Sequence, residues 1–303
     1  MTTTSLAPSG QPSALDQIAA AHRPAQLLVL DKLITALTAG DAVTHLLVRG
    51  SLATGTADRL SDVDLVIGVR DGLLAELMGR LDALMAIQFG VLLPGWRDTI
   101  VGALGGAGFV YLVPHEGHLL QLDLYLCPAS GIEQLHGRVE ARVLWQAPGA
   151  NEVAAVERCE AAEALARFAD TPADCGQLLV QAVVLHAMLR KRIARGQTFI
   201  AYQLLYLLHA TVRDLTRTAL VPHSRHHGWY HLPDEVGRTA TGRAALGQLE
   251  AALADRPLPD VGQADRVLQL ALGLGEQLAP QAAGELADQI AAYRLYQQLG
   301  RHA

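Results

Sequence analysis

Residues 46–69 read LLVRGSLATGTADRLSDVDLVIGV, and the rest of the chain is organised around this stretch. An apolar run over 44–48 breaks at Gly50-Ser51. A small-residue and polar segment follows, and a second β-type run then carries Asp62 and Asp64 with only Val63 between them. Side chains along a strand alternate faces. Asp62 and Asp64 are therefore expected to point the same way, with Val63 and Leu65 turned into the core.

Two adjacent carboxylates repel, and a fold places them together most readily where a cation holds them. Hard oxygen ligands suit Mg2+, which is usually held by one or two carboxylates together with substrate phosphates. The turn supplies the complementary part. Gly50 lets the backbone come close, and Ser51, with neighbouring N–H groups, is the expected β- or γ-phosphate contact. Arg49 adjoins the turn, although alternation could aim it at the site or at solvent.

The Gly-Ser, spacer, Asp-x-Asp arrangement resembles the signature of the DNA polymerase β-like nucleotidyltransferase superfamily. That family adds a third carboxylate on a later strand flanked by apolar residues. Asp123 in LLQLDLYLCP, between Leu122 and Leu124, is the match here. The resemblance covers roughly residues 43–126 and implies that Asp62, Asp64 and Asp123 are catalytic and metal-binding. For Asp123 it leaves two roles open: in several antibiotic nucleotidyltransferases the matching carboxylate takes the proton of the acceptor hydroxyl, and in polymerases it binds metal. The antibiotic enzymes also commonly send a lysine from the first helices of their second domain to the triphosphate, and Lys191 is the best-placed candidate.

The 303 residues allow one large domain or two ordinary ones, and 50% hydrophobic composition is enough for a sizeable core. Three cysteines without Cys-x-x-Cys spacing suggest a reduced, cytoplasmic setting. The N-terminus lacks the features of a signal peptide, and no apolar run suggests a membrane span. A formal charge of −6 argues against a protein that grips a nucleic-acid backbone.

Along the chain, 1–13 reads as disordered. Residues 14–149 read as an α/β domain with a small mixed sheet, and 150–303 as an all-α helical bundle. In the first domain, helices are expected over 14–37 (broken by Pro24) and 73–89. Strands are expected over 43–48, 63–69, 99–104, 109–113 and 119–126. In the second, helices are expected over 152–169, 176–195, 199–220, 241–253 and 265–299. His186 reads as a core-edge histidine. The cations Arg190, Lys191, Arg192 and Arg195 end an apolar helix, a placement the helix dipole favours by itself. His223, His226, His227 and His231 crowd around Trp229 and Tyr230 and invite a zinc reading. With no Cys and no carboxylate at ligand spacing, a substrate-edge or interface loop is the better expectation.

Layout and resemblance together imply transfer of a nucleoside monophosphate, AMP from ATP first, to a hydroxyl of a small molecule. Asp98 and Glu116 are expected to make the cleft negative, so a cationic acceptor is expected, an aminoglycoside ahead of a lincosamide. A protein- or tRNA-modifying transferase and a silent nucleotide-binding module are the alternatives. A homodimer is left open.

Overall fold

A computed structural model describes residues 25–98, 105–149 and 154–299. The expected disordered start, the first part of the 14–37 helix, the 99–104 strand and the beginning of the 152–169 helix lie outside the described residues.

Six strands form one mixed sheet in the order β3-β4-β5-β2-β1-β6. They are β1 (Val43–Arg49), β2 (Val63–Val69), β3 (Trp96–Asp98), β4 (Ala107–His115), β5 (His118–Pro128) and β6 (Ala141–Gln146). β2 and β5 run parallel at the centre, and every other neighbouring pair is antiparallel. β2, VDLVIGV, is apolar on both faces and buried along its length except at Asp64, as a strand covered on both sides should be. β4 and β5 form a hairpin whose two turn residues, Glu116 and Gly117, have φ of 46° and 80°. Tight two-residue hairpin turns favour this left-handed pair.

One sheet face is covered by α1 (Ala25–Leu37) and α3 (Leu74–Phe89), the latter in the role expected of the 73–89 helix. Leu33, Leu65, Ile67, Leu81, Met85 and Leu124 close that core. Each such side chain contributes about 1.5–3 kcal/mol by leaving water. The opposite face carries the carboxylates and is covered in two pieces. α4 (Ile132–His136) sits over Val66, Tyr125 and Cys127. At the β3–β4 edge, Trp96, Val110 and Leu112 join the core of the helical half.

That half contains α5 (Ala155–Asp170), α6 (Cys175–Ala194), α7 (Thr198–Leu220), α8 (Leu232–Val236), α9 (Ala240–Leu253), α10 (Val261–Leu278), α11 (Pro280–Glu285) and α12 (Ala287–Leu299). The single helix expected over 265–299 is thus three. Pro280 has no N–H to continue the ladder, and Asp260 starts α10 earlier by accepting from the Gln263 N–H at 2.8 Å. β6 was not expected: as a mostly exposed edge strand, ARVLWQ lacks the clean alternation of a half-buried one. Among the described residues no single helix is long and apolar enough to cross a membrane.

The histidine-rich segment is held together by an arginine. Arg217 of α7, fully buried, donates to the Gly228 carbonyl at 2.7 Å and to Ser224 Oγ at 3.0 Å, and also meets Glu235 and the Tyr230 carbonyl. Glu235 is in turn 2.9 Å from His227 Nδ1. The segment is a 3-10 turn (Pro222–His227) and α8 rather than an open loop. Among the described residues it forms no group able to hold a metal. Arg217→Met leaves the Gly228 and Tyr230 carbonyls and Ser224 without their donor. It is therefore expected to lower the midpoint of urea unfolding clearly below wild type; an unchanged midpoint would show that this network does not brace the segment.

Candidate functional site

The carboxylate site is built on one rung of the sheet. Asp64 of β2 pairs directly with Asp123 of the parallel neighbour β5, and Arg49 of β1 pairs with Asp64 from the other side. Paired residues on neighbouring strands share a face, so all three project together. Arg49 points inward, with its Nε 3.8 Å from Asp64 Oδ1, which settles the orientation that alternation left open.

Gly50 follows at the end of β1 with φ of 65°, in the left-handed region. A Cβ there would stand 2.5 Å from Asp64 Oδ2. The glycine is thus required twice, once by its backbone and once by the carboxylate against it. Ser51 lies in the first turn of the short helix α2 (Gly50–Thr54) that it opens.

Asp62, just before β2, is buried and held by the helical half. Lys191, near the C-terminal end of α6, donates to Asp62 Oδ1 and to Gln121 Oε1, and Arg192 Nη2 lies 3.6 Å from Asp62 Oδ2. Gln121 passes the chain on, its Nε2 donating to Asp123 Oδ1 at 2.7 Å. One turn later Arg195 pairs with Asp58 and reaches Ser61 Oγ at 3.3 Å. The Nε atoms of Arg192 and Arg195 are buried without a hydrogen-bond partner among the described residues.

The fold therefore brings Arg49, Gly50, Asp62, Asp64, Asp123 and Lys191 to one face, and adds Gln121 and Asp58, which the motif does not mark. Gln121 was findable, since it lies two residues before Asp123 on the same strand face. His186 is buried, as expected of a core-edge residue, between Tyr293 OH at 2.7 Å and Asp265 Oδ1 at 3.0 Å. Asp265 also accepts from Arg190 at 2.7 Å.

The charges next to the carboxylates run against expectation. A cleft of about 410 Å³ between sheet and helices is lined by Asp62, Gln121, Arg59, Arg190, Lys191 and Tyr296, among others, and neither Asp98 nor Glu116 reaches it. Glu116 is spent at the hairpin tip, and Asp98 lies on the edge strand, beyond β4. Arg190 and Lys191 make the helical side of the cleft basic, and Asp62 is the site carboxylate that lines it.

Burial, with Asp62 and Asp64 close by, pushes the Asp123 carboxyl up to about 8, while Gln121 and Lys191 pull the other way. Burial and then Asp62 raise Asp64, opposed by Arg49, Lys191 and Arg192. As they stand, no three His, Cys, Asp or Glu side chains among the described residues converge tightly enough to hold a metal ion. The donor chemistry nevertheless fits a hard divalent cation. Asp64 and Asp123 meet as like charges on one rung, and Asp62 on the same face is already occupied by an ammonium.

Compared with known proteins, the chain matches no family model and no curated protein.

A carboxyl raised by burial binds its proton more tightly folded than unfolded, so its cost to folding grows as pH climbs from the ordinary value of 3.8 to about 8. In chelator, Asp123→Asn is expected to melt above wild type at about pH 8, with the gap closing towards about pH 4. A gap that does not change with pH would remove Asp123 from this cluster.

Proposed function

We propose that this chain is a nucleotidyltransferase that moves a nucleoside monophosphate from a triphosphate, ATP first, to a hydroxyl of a small molecule. The observation that carries the reading is the in-register pair of Asp64 and Asp123, on the face of Asp62 and beneath the cations that end α6. The residues that would hold Mg2+ are Asp62 and Asp64, with Asp123 as the third candidate. When bound, Mg2+ would neutralise these acids and stabilise the phosphate oxygens that gain charge.

The chain's own groups have separable tasks. Lys191 and Arg192 face the same space as the acids, and with the unpartnered Nε atoms of Arg192 and Arg195 they suit a polyanionic triphosphate. Gly50 and Ser51 bring backbone close to that space. In the transfer, the acceptor oxygen bonds to the α-phosphorus, the bond to the β-bridging oxygen breaks, and pyrophosphate leaves. The hydroxyl proton passes to a base, for which Asp123 is the candidate, since it shares the rung and the face of Asp64. Placement of reactants by the cleft supplies much of the acceleration.

For the acceptor, aminoglycosides and lincosamides are the classes to screen first. The basic cleft wall favours a second reading, an anionic acceptor such as a tRNA end, which the same assay separates.

The assay follows pyrophosphate release with ATP and Mg2+ in the presence of aminoglycosides, lincosamides, tRNA or protein acceptors. Turnover is expected with one class, and Asp62→Asn and Asp64→Asn should each reduce it about a hundredfold or more. Wild-type-like turnover in either variant at equal thermal stability would overturn the metal assignment. No release with any acceptor and any nucleoside triphosphate would overturn the transferase reading.

If Asp123 is the base, Asp123→Asn should lose rate while Mg2+ and nucleotide bind as before in calorimetry. If it is a ligand, Mg2+ affinity should fall with the rate. Unchanged rate and affinity would exclude both roles.

A further inference from the structure

A second cleft lies on the other face of the sheet and takes no part in nucleotidyl transfer. On β3, Trp96 shares the face of Asp123 through Val110, so alternation turns Arg97 to the opposite face, beside Phe109. There the Arg97 guanidinium sits over the Phe168 ring of α5, 5.2 Å from its centroid. Phe168 in turn meets Phe109 at 5.2 Å. The Nη1 of Arg97 is buried and has no hydrogen-bond partner among the described residues. A buried donor without a partner is a net cost to a fold and points to a group that is missing from the count.

The space beside Arg97 is large enough for such a group. The cleft measures about 550 Å³ and is walled by Met78 of α3, Phe109, Phe168 and Val180 of α6. This is the size range of small-molecule sites, and the lining mixes those apolar side chains with charged ones, Asp82, Arg167, Asp174 and Glu285 among them. Its three acids each accept a hydrogen bond, Glu285 from Gln281 Nε2 at 3.1 Å. Asp82 accepts from the Gly95 N–H at 2.9 Å and from Tyr111 OH at 2.7 Å. Asp174 caps α6 by accepting from the Gln177 N–H at 2.8 Å. Of the two guanidinium groups that line the cleft, Arg167 lies 3.5 Å from Glu163, and Arg97 carries the donor left without a partner among the described residues.

We infer that this cleft is a second binding site, for a small flat molecule with an aromatic body and one carboxylate. A guanidinium pairs with a carboxylate through two parallel hydrogen bonds, and the aromatic and aliphatic wall takes the body. An inorganic anion would leave most of the volume unfilled. The inference does not depend on the transferase reading, because the two clefts lie on opposite faces of the sheet.

Gly79 provides a way to close the site. It lines the cleft from the middle of α3, and a Cβ there would meet nothing within 4 Å. No packing contact therefore requires glycine, and leucine is the better helix former.

The test titrates the full chain with phenylacetate and 1-naphthylacetate by calorimetry, with 2-phenylethanol and acetate as the neutral and body-less controls. Binding of an arylacetate is expected, with both controls weaker. Arg97→Gln should weaken it about tenfold or more. Gly79→Leu should abolish it with an unfolding midpoint no lower than wild type, and Asp64→Asn should bind as wild type does. The inference is overturned if neither arylacetate binds wild type, if Arg97→Gln and Gly79→Leu both bind unchanged, or if Asp64→Asn is the variant that loses binding.

Discussion

Parallel pairing of β2 with β5 forces two carboxylates onto the same rung. Once Val63 meets Leu122 and Leu65 meets Leu124, each pair fully or almost fully buried, Asp64 has no position open to it except beside Asp123. The apolar residues of the two strands set the register, and the acids are carried along. Their repulsion is borne by the burial of the strands on either side of them. Everything else near the rung answers that charge: Arg49 from β1, Lys191 and Arg192 from α6, and Gln121, which links Lys191 to Asp123.

Two halves of the chain therefore meet over one electrostatic problem. The sheet supplies the acids and the helical half supplies the cations, so neither half contains the candidate site alone. The apolar contact of Trp96, Val110 and Leu112 with the helical core keeps them in place. α6 is central to both clefts. Val180, in its first half, walls the aromatic-lined cleft, and Lys191, near its end, reaches Asp62.

What could be read from the sequence follows from how local each signal is. β2 was legible to the residue because β-branched and apolar residues fill both faces and a polar turn precedes it. The shared face of Asp62 and Asp64 follows from alternation alone, and the place of Asp123 came from resemblance to a known motif. β6 was not legible, since an exposed edge strand with Arg142 and Gln146 resembles a loop in composition. Pro280 lies inside an apolar stretch whose helical periodicity continues on both sides of it, so three helices read as one. The sign of the cleft is not legible for a different reason. Asp98 and Glu116 are near in sequence to the strands that matter, but which side chains line a cleft depends on where α6 docks, and no local pattern encodes that.

The length of α6 is a constraint on how this protein can change. One residue added or removed between Val180 and Lys191 would rotate everything after it by about 100° and shift it by about 1.5 Å. Lys191 and Arg192 would swing away from Asp62 while Val180 kept its place. Insertions and deletions are readily absorbed in surface connections, but within α6 no such length change preserves both clefts. Relatives that retain both are therefore expected to vary between their helices and to keep this helical segment the same length.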